Sequence, residues 1–140
     1  MEKDVQELND FLKGLYMGVH TYEHYIQNCT DDKVKKILQD IQKDHKLSAI
    51  EVAEHIQNLG GKPVNDEGTF NSLIGSFNQF TAPTNTADII KEAVKNEQKY
   101  AIHVAGDTIK GDISEEQKQL IDQIFERNSK HVEMLQHLLH

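Results

Sequence analysis

Apolar residues recur three and four apart along nearly the whole chain, and this spacing restricts it to packed amphipathic helices. Val5, Leu8, Leu12, Leu15, Val19, Tyr22, Ile26 and Cys29 form one continuous stripe. Thr30 then offers an N-cap, with Asp31 and Asp32 placed for the positive end of a second helix. That helix is expected to reach Leu59, where Gly60, Gly61 and Pro63 end it. A connection this short makes the first two helices antiparallel.

From Pro63 the texture changes to Gly, Asn, Thr and Ser until Pro83, a connection over about residues 60–85. Loops of that length rarely lack structure. Phe70, Ile74 and Phe77, with Leu73 and Phe80 beside them, predict a short helix there, either a hydrophobic lid on the bundle or a docking surface for a partner. The third long helix is expected to open at Thr86 and end near Gly111. Its seam holds Ile90, Ala93, Glu97, Tyr100 and Val104. Ser114 and Gln117 read as a capping box for a fourth, with Ile121, Ile124, Asn128, His131, Leu135 and Leu138 on its seam. Strand-like alternation is absent, so the fold class is all-α.

The 140 residues fit a single four-helix-bundle domain over 1–140. A net charge of −8, from 15 Lys and Arg against 23 Asp and Glu without any basic run, argues against nucleic acid as a partner. The lone Cys29 cannot form an intrachain disulfide, and no signal segment or apolar run of about 18 residues is visible. The expectation is a cytoplasmic protein with no membrane partner. Association as a homodimer or with another protein stays open.

Three histidines, His45, His55 and His131, fall on seam positions, where an imidazole needs a partner. Two of them end a three-residue spacing that starts with an amide: Gln42 with His45, and Asn128 with His131. Such pairs share one helix face and can aim at a common point between helices. By register, residues 42 to 45 lie level with Tyr16, Val19 and His20, and residues 128 to 131 lie near Glu92 and Glu97. The candidate polar layer is therefore His20 or Tyr16, Gln42, His45, Glu92 or Glu97, Asn128 and His131. His55, about three turns from His45, reads as packing near the end of its helix. His20 with His24 and His137 with His140 read as solvated pairs.

Two tight hairpins joined by a long crossover give a topology in which helices 2 and 3 run parallel. Here the chain resembles the ferritin-like superfamily, in particular a small bacterial four-helix-bundle family of unknown function distantly related to bacterioferritin and rubrerythrin. The resemblance rests on Leu8-Asn9-Asp10 opening helix 1, Leu59-Gly60-Gly61 closing helix 2, and Ser129-Lys130-His131 in helix 4. It implies a ferritin-like bundle whose metal-binding members carry Glu-x-x-His where this chain has Gln42-x-x-His45 and Asn128-x-x-His131.

Amides neither neutralise nor bridge a pair of iron ions as carboxylates do, which disfavours a di-iron oxidase or iron store. One zinc, copper or nickel ion on neutral imidazoles asks for less charge. A polar layer that only fixes helix register asks for no cofactor at all. The leading expectation is a non-enzymatic bundle whose layer is structural or binds a metal weakly. The competing one is a di-metal oxidoreductase or storage protein with a degenerate centre. If the buried imidazoles are neutral and unpaired with carboxylates, stability should fall as pH drops through about 6.5. Cys29 sits at a helix C-terminus, where the dipole disfavours a thiolate, and no Gly-rich phosphate loop or serine elbow is present.

Overall fold

A computed structural model describes residues 2–66, 68, 83–109 and 114–139, with the side chains of 100–109 left aside. The described residues form four long helices and no strand: α1 (Glu2–Asn28), α2 (Asp32–Asn58), α3 (Thr86–Ile109) and α4 (Glu115–His137). The short helix expected around residues 70–80 and the turn near Gly111 lie outside the described residues. None of the four helices is long and apolar enough to cross a membrane.

The helix ends follow from local chemistry, with two corrections to the sequence reading. Asp31, not Thr30, caps α2: its side chain accepts from the backbone N–H of Val34 at 3.0 Å. Ser114 occupies the N-cap position of α4, but its side chain makes no capping bond, and Gln117 is buried with Oε1 unpartnered, so the capping box does not form. At α3 the cap is Asn85, whose Oδ1 accepts from the N–H groups of Ala87 and Asp88.

At the other end of α2 the chain turns through Gly60 at φ +83°, the left-handed conformation that favours glycine. Gly61 then donates to the carbonyl of Ile56 at 2.9 Å, satisfying a terminal acceptor. A Cβ on Gly61 would lie 2.7 Å from both methyl carbons of Val5, so this glycine lets the start of α1 close on the end of α2. Asn9 fastens the connection that follows. Its amide donates to the Lys62 carbonyl and its Oδ1 accepts from the N–H of Val64 at 2.8 Å.

Helix α1 packs on α2 and α3, and α4 packs on α3 and α2. Contacts run in opposite order along three of these pairs. Val5 meets Gly61 whereas Val19 meets Gln42; Tyr22 meets Glu97 whereas Tyr25 meets Glu92; Asp44 meets His131 whereas Ser48 meets Arg127. Each of those pairs is antiparallel.

The core is split in two. One cluster, near the turn between α1 and α2, holds Tyr22, Tyr25, Leu38, Ile41, Ile89 and Leu135. The other, toward the opposite end, holds Leu8, Leu12, Leu15, Val52, Ile56, Ile121 and Ile124. Burying one such Leu or Ile contributes about 1.5–3 kcal/mol. Between the clusters in chain order sit the buried polar residues Gln42, His45 and Ser48 on α2 and Asn128 and His131 on α4, and Glu97 follows the first cluster's Val94 on α3. Phe11 and Tyr25 are buried as well, although the α1 stripe passes beside them.

Candidate functional site

The polar layer centres on Glu97 of α3, which is only 6% exposed. Its Oε1 takes two bonds, from His45 Nε2 of α2 at 2.7 Å and from the Tyr22 hydroxyl of α1 at 2.8 Å. Burial alone would raise the Glu97 pKa. The hydrogen bond and charge of His45, the Tyr22 hydroxyl and the charge of His131 outweigh it, and the carboxyl is held below its ordinary range. An ionised carboxylate only accepts, so the proton between the two residues belongs to His45 Nε2. Burial and the neighbouring carboxylate push the Tyr22 phenol well above its usual pKa, so this hydroxyl stays a donor.

The second imidazole repeats the pattern on the other side of α2. His131 Nε2 of α4 lies 2.5 Å from Asp44 Oδ2. Asp44 and His45 are neighbours on a helix and diverge by about 100° around its axis. One residue thus serves α4 and the next serves α3. Arg127 closes the same seam, donating from Nη1 to Ser48 Oγ at 3.0 Å and from Nη2 to Glu51 at 3.3 Å. The rings of His45 and His131 meet edge to face with centroids 6.3 Å apart, and Tyr22 packs on His45 at 5.3 Å.

Other predicted members stand elsewhere. His20 pairs with Asp66 at 2.8 Å, at the start of the long connection, and does not enter the layer. The Tyr16 hydroxyl goes to the Val64 carbonyl at 3.4 Å. Gln42 is spent on α1, donating to the Val19 carbonyl and to Glu23 Oε2. Glu92 accepts from the Tyr25 hydroxyl at 3.3 Å, while Asn96 donates to that same hydroxyl. Asn128 is buried in the layer with neither amide atom partnered. His55 is half-buried near the end of α2. The register of 42–45 against Val19 holds, and Gly18 faces the His45 ring across it.

The pairing of both imidazoles with carboxylates removes the premise of an acid transition driven by neutral, unpaired histidines. It also exposes what the sequence reading lacked: Tyr22 entered only as an apolar stripe residue, and Asp44 and Arg127 not at all. A signal was present for Tyr22, since a buried phenol seeks an acceptor. Asp44 carried none beyond standing next to a seam position.

For a metal, the donor set is partial. Nδ1 of both His45 and His131 is buried and without a partner, and each ring's Nε2 is held by a carboxylate, the way metal-bound imidazoles are commonly oriented. Yet among the described residues no group of three or more His, Cys, Asp or Glu side chains is placed to hold an ion.

No curated protein and no solved structure matches the chain. Residues 3–111, which run from α1 past the end of α3 and include Tyr22, His45 and Glu97, match a family described as a domain of unknown function, and the chain belongs to that family, DUF2383.

Proposed function

We propose that this chain is a non-enzymatic helical bundle, one domain over residues 1–140, whose histidine–carboxylate layer sets the register of the four helices and binds a single transition-metal ion weakly. The observation that carries this reading is the convergence of His45 and Tyr22 on one buried oxygen of Glu97. Three helices meet at a bond set that fails if any of them slides by a turn. The His131 pair with Asp44 adds the fourth helix.

Zinc, copper or nickel suits the unpartnered imidazole Nδ1 atoms better than iron does, because iron chemistry wants free carboxylates. Here Glu97 and Asp44 are engaged with imidazoles, and the positions three residues before each histidine are Gln42 and Asn128. A di-metal oxidoreductase or iron store is therefore the weaker reading. A ferritin-like topology, with α2 and α3 parallel and joined by a crossover, is part of the proposal. It is supported by the antiparallel contact order of α1 with α2 and of α1 with α3. Exposed Leu47 and Ile50 on α2 give self-association or a partner an apolar surface to use.

The test is a His45→Ala, His131→Ala double variant compared with the wild type in chelator. The expected result is a loss of several kcal/mol of stability without any metal, together with weak zinc uptake by the wild type that the variant lacks. Stability unaffected by the double change would overturn the register reading. Stoichiometric metal retained from expression without a nickel column would replace it with a true metal centre.

A further inference from the structure

A cleft of about 440 Å³ opens onto the layer on the side where α1 faces α3, with Tyr22, His45 and Glu97 in its lining. It is within the size range of small-molecule sites. Gly14 and Gly18 line it from α1 and contribute no side chain, which leaves the space open. Leu15 and Met17 give it an apolar wall, and the rings of Tyr22 and Tyr25, edge to face at 5.4 Å, give it an aromatic one.

Glu97 and Glu92 line the cleft, and among the described residues no Lys or Arg does. Glu97 is deep and Glu92 half-buried, so one carboxylate belongs to the floor and the other to the rim. Five residues apart on α3, they are offset along the helix axis by about 7.5 Å. The neutral donors around them are committed: the Tyr22 hydroxyl to Glu97, the Tyr25 hydroxyl to Glu92, and Asn96 to Tyr25.

Glu97 retains capacity. Both of its donors fall on Oε1, and among the described residues none donates to Oε2. His45, which is 4% exposed and lines the same cleft, has an unpartnered Nδ1 besides. A carboxylate oxygen in a water-poor cleft attracts a cation far more strongly than one at the surface, and aromatic faces add to that attraction. A bare metal ion would leave most of this volume and its apolar wall unused. An anion would face two carboxylates. The fitting ligand is an organic cation with a carbon body and two positive ends.

We propose that this cleft binds a short linear alkyl diamine, one ammonium against Glu97 at the floor, the other against Glu92 at the rim, and the chain along Leu15 and Met17. It needs neither a metal ion nor the Asp44 pair. The experiment is calorimetric titration of the intact protein at low salt with putrescine, butylamine and butanediol. Putrescine is expected to bind tightest, butylamine about fivefold more weakly for want of the rim contact, and butanediol not measurably.

Glu92→Gln, at the half-buried rim, should bring putrescine down to the affinity of butylamine and leave butylamine unchanged. Gly18→Val should abolish binding of both amines by filling the cleft. Its fold is checked by circular dichroism, and the Glu92 variant stands as an independent arm. Absence of binding by either amine at millimolar concentration to the folded wild type would overturn the proposal. So would butanediol binding as well as putrescine, or putrescine affinity untouched by Glu92→Gln. Displacement of putrescine by equal concentrations of magnesium would reduce the effect to general ionic attraction and overturn it equally.

Discussion

Replacing Glu97 separates charge from hydrogen bonding in the layer, because His45 and Tyr22 both bond to a single oxygen. Glu97→Ala removes the acceptor for two buried donors. Each orphaned donor costs about 1–3 kcal/mol, and removing one partner of a buried pair costs about 3–5 kcal/mol, so the two estimates overlap. Glu97→Gln keeps a carbonyl oxygen that can occupy the position of Oε1 and accept both bonds. It loses only the charge assistance, from about 1.5–3 to about 0.5–1.5 kcal/mol per bond, or about 2 kcal/mol in all. Urea denaturation at neutral pH should therefore rank wild type above Glu97→Gln, and that above Glu97→Ala. Acid supplies a second axis. The Glu97 carboxyl is held below its ordinary range in the fold, against the opposing effect of burial, chiefly by His45. Its stabilisation is complete above the unfolded value of about 4.3, and is lost as pH falls from there through the lower folded value. The stability gap between wild type and Glu97→Gln should then narrow on acidification below that value. Equal destabilisation by Gln and Ala, or a gap that widens in acid, would refute the reasoning.

The other consequences concern backbone and caps, and equilibrium unfolding reads them all. Gly61→Ala should cost about 1–3 kcal/mol because its Cβ would sit 2.7 Å from Val5 and 3.1 Å from Ile56. Gly60→Ala meets nothing within 4 Å, so its cost should be only the left-handed backbone penalty of about 1–2 kcal/mol. Asp31→Ala removes the bond to Val34 N–H and should cost about 1 kcal/mol, whereas Thr30→Ala should cost little. Gly18→Ala adds a Cβ 3.4 Å from His45 Cδ2, an ordinary contact, and should gain up to about 1 kcal/mol of helix propensity; a loss would mean the His45 ring cannot give way.

Helix number, boundaries and the level of the polar layer were legible because each follows from a period or a punctuating residue. His45, Glu97 and His131 all fell on seams, and all three are buried. Partnership was not legible. A seam assigns a residue to the interior without saying which neighbouring helix it meets, and the long side chains of Gln42 and His20 reach backbone or loop groups that no spacing encodes. Asn9 illustrates the same limit from the other side. It stood in the sequence as part of a short motif, and its work lies more than fifty residues away, bracketing Lys62 and Val64.

One motif, an imidazole Nε2 on a carboxylate, occurs twice around α2 and has different energetic weight each time. In the His45 pair both side chains are 5% exposed; in the His131 pair the Asp44 side chain is 36% exposed. Water can solvate Asp44 when the pair opens, whereas the His131 side chain, 8% exposed, would lose its partner while still buried, so this pair lies between a surface and a buried ion pair. Glu97 has no such recourse, and its desolvation makes the bonds from His45 and Tyr22 obligatory rather than optional. The specificity of the fold therefore concentrates on the face where α1, α2 and α3 meet, inside the residues shared with the family. The pair through His131 of α4, outside that span, differs in that its carboxylate is one water can reach. Among the described residues Glu97 is the carboxylate that the fold holds ionised with little water around it, and cation binding in the adjoining cleft begins from it.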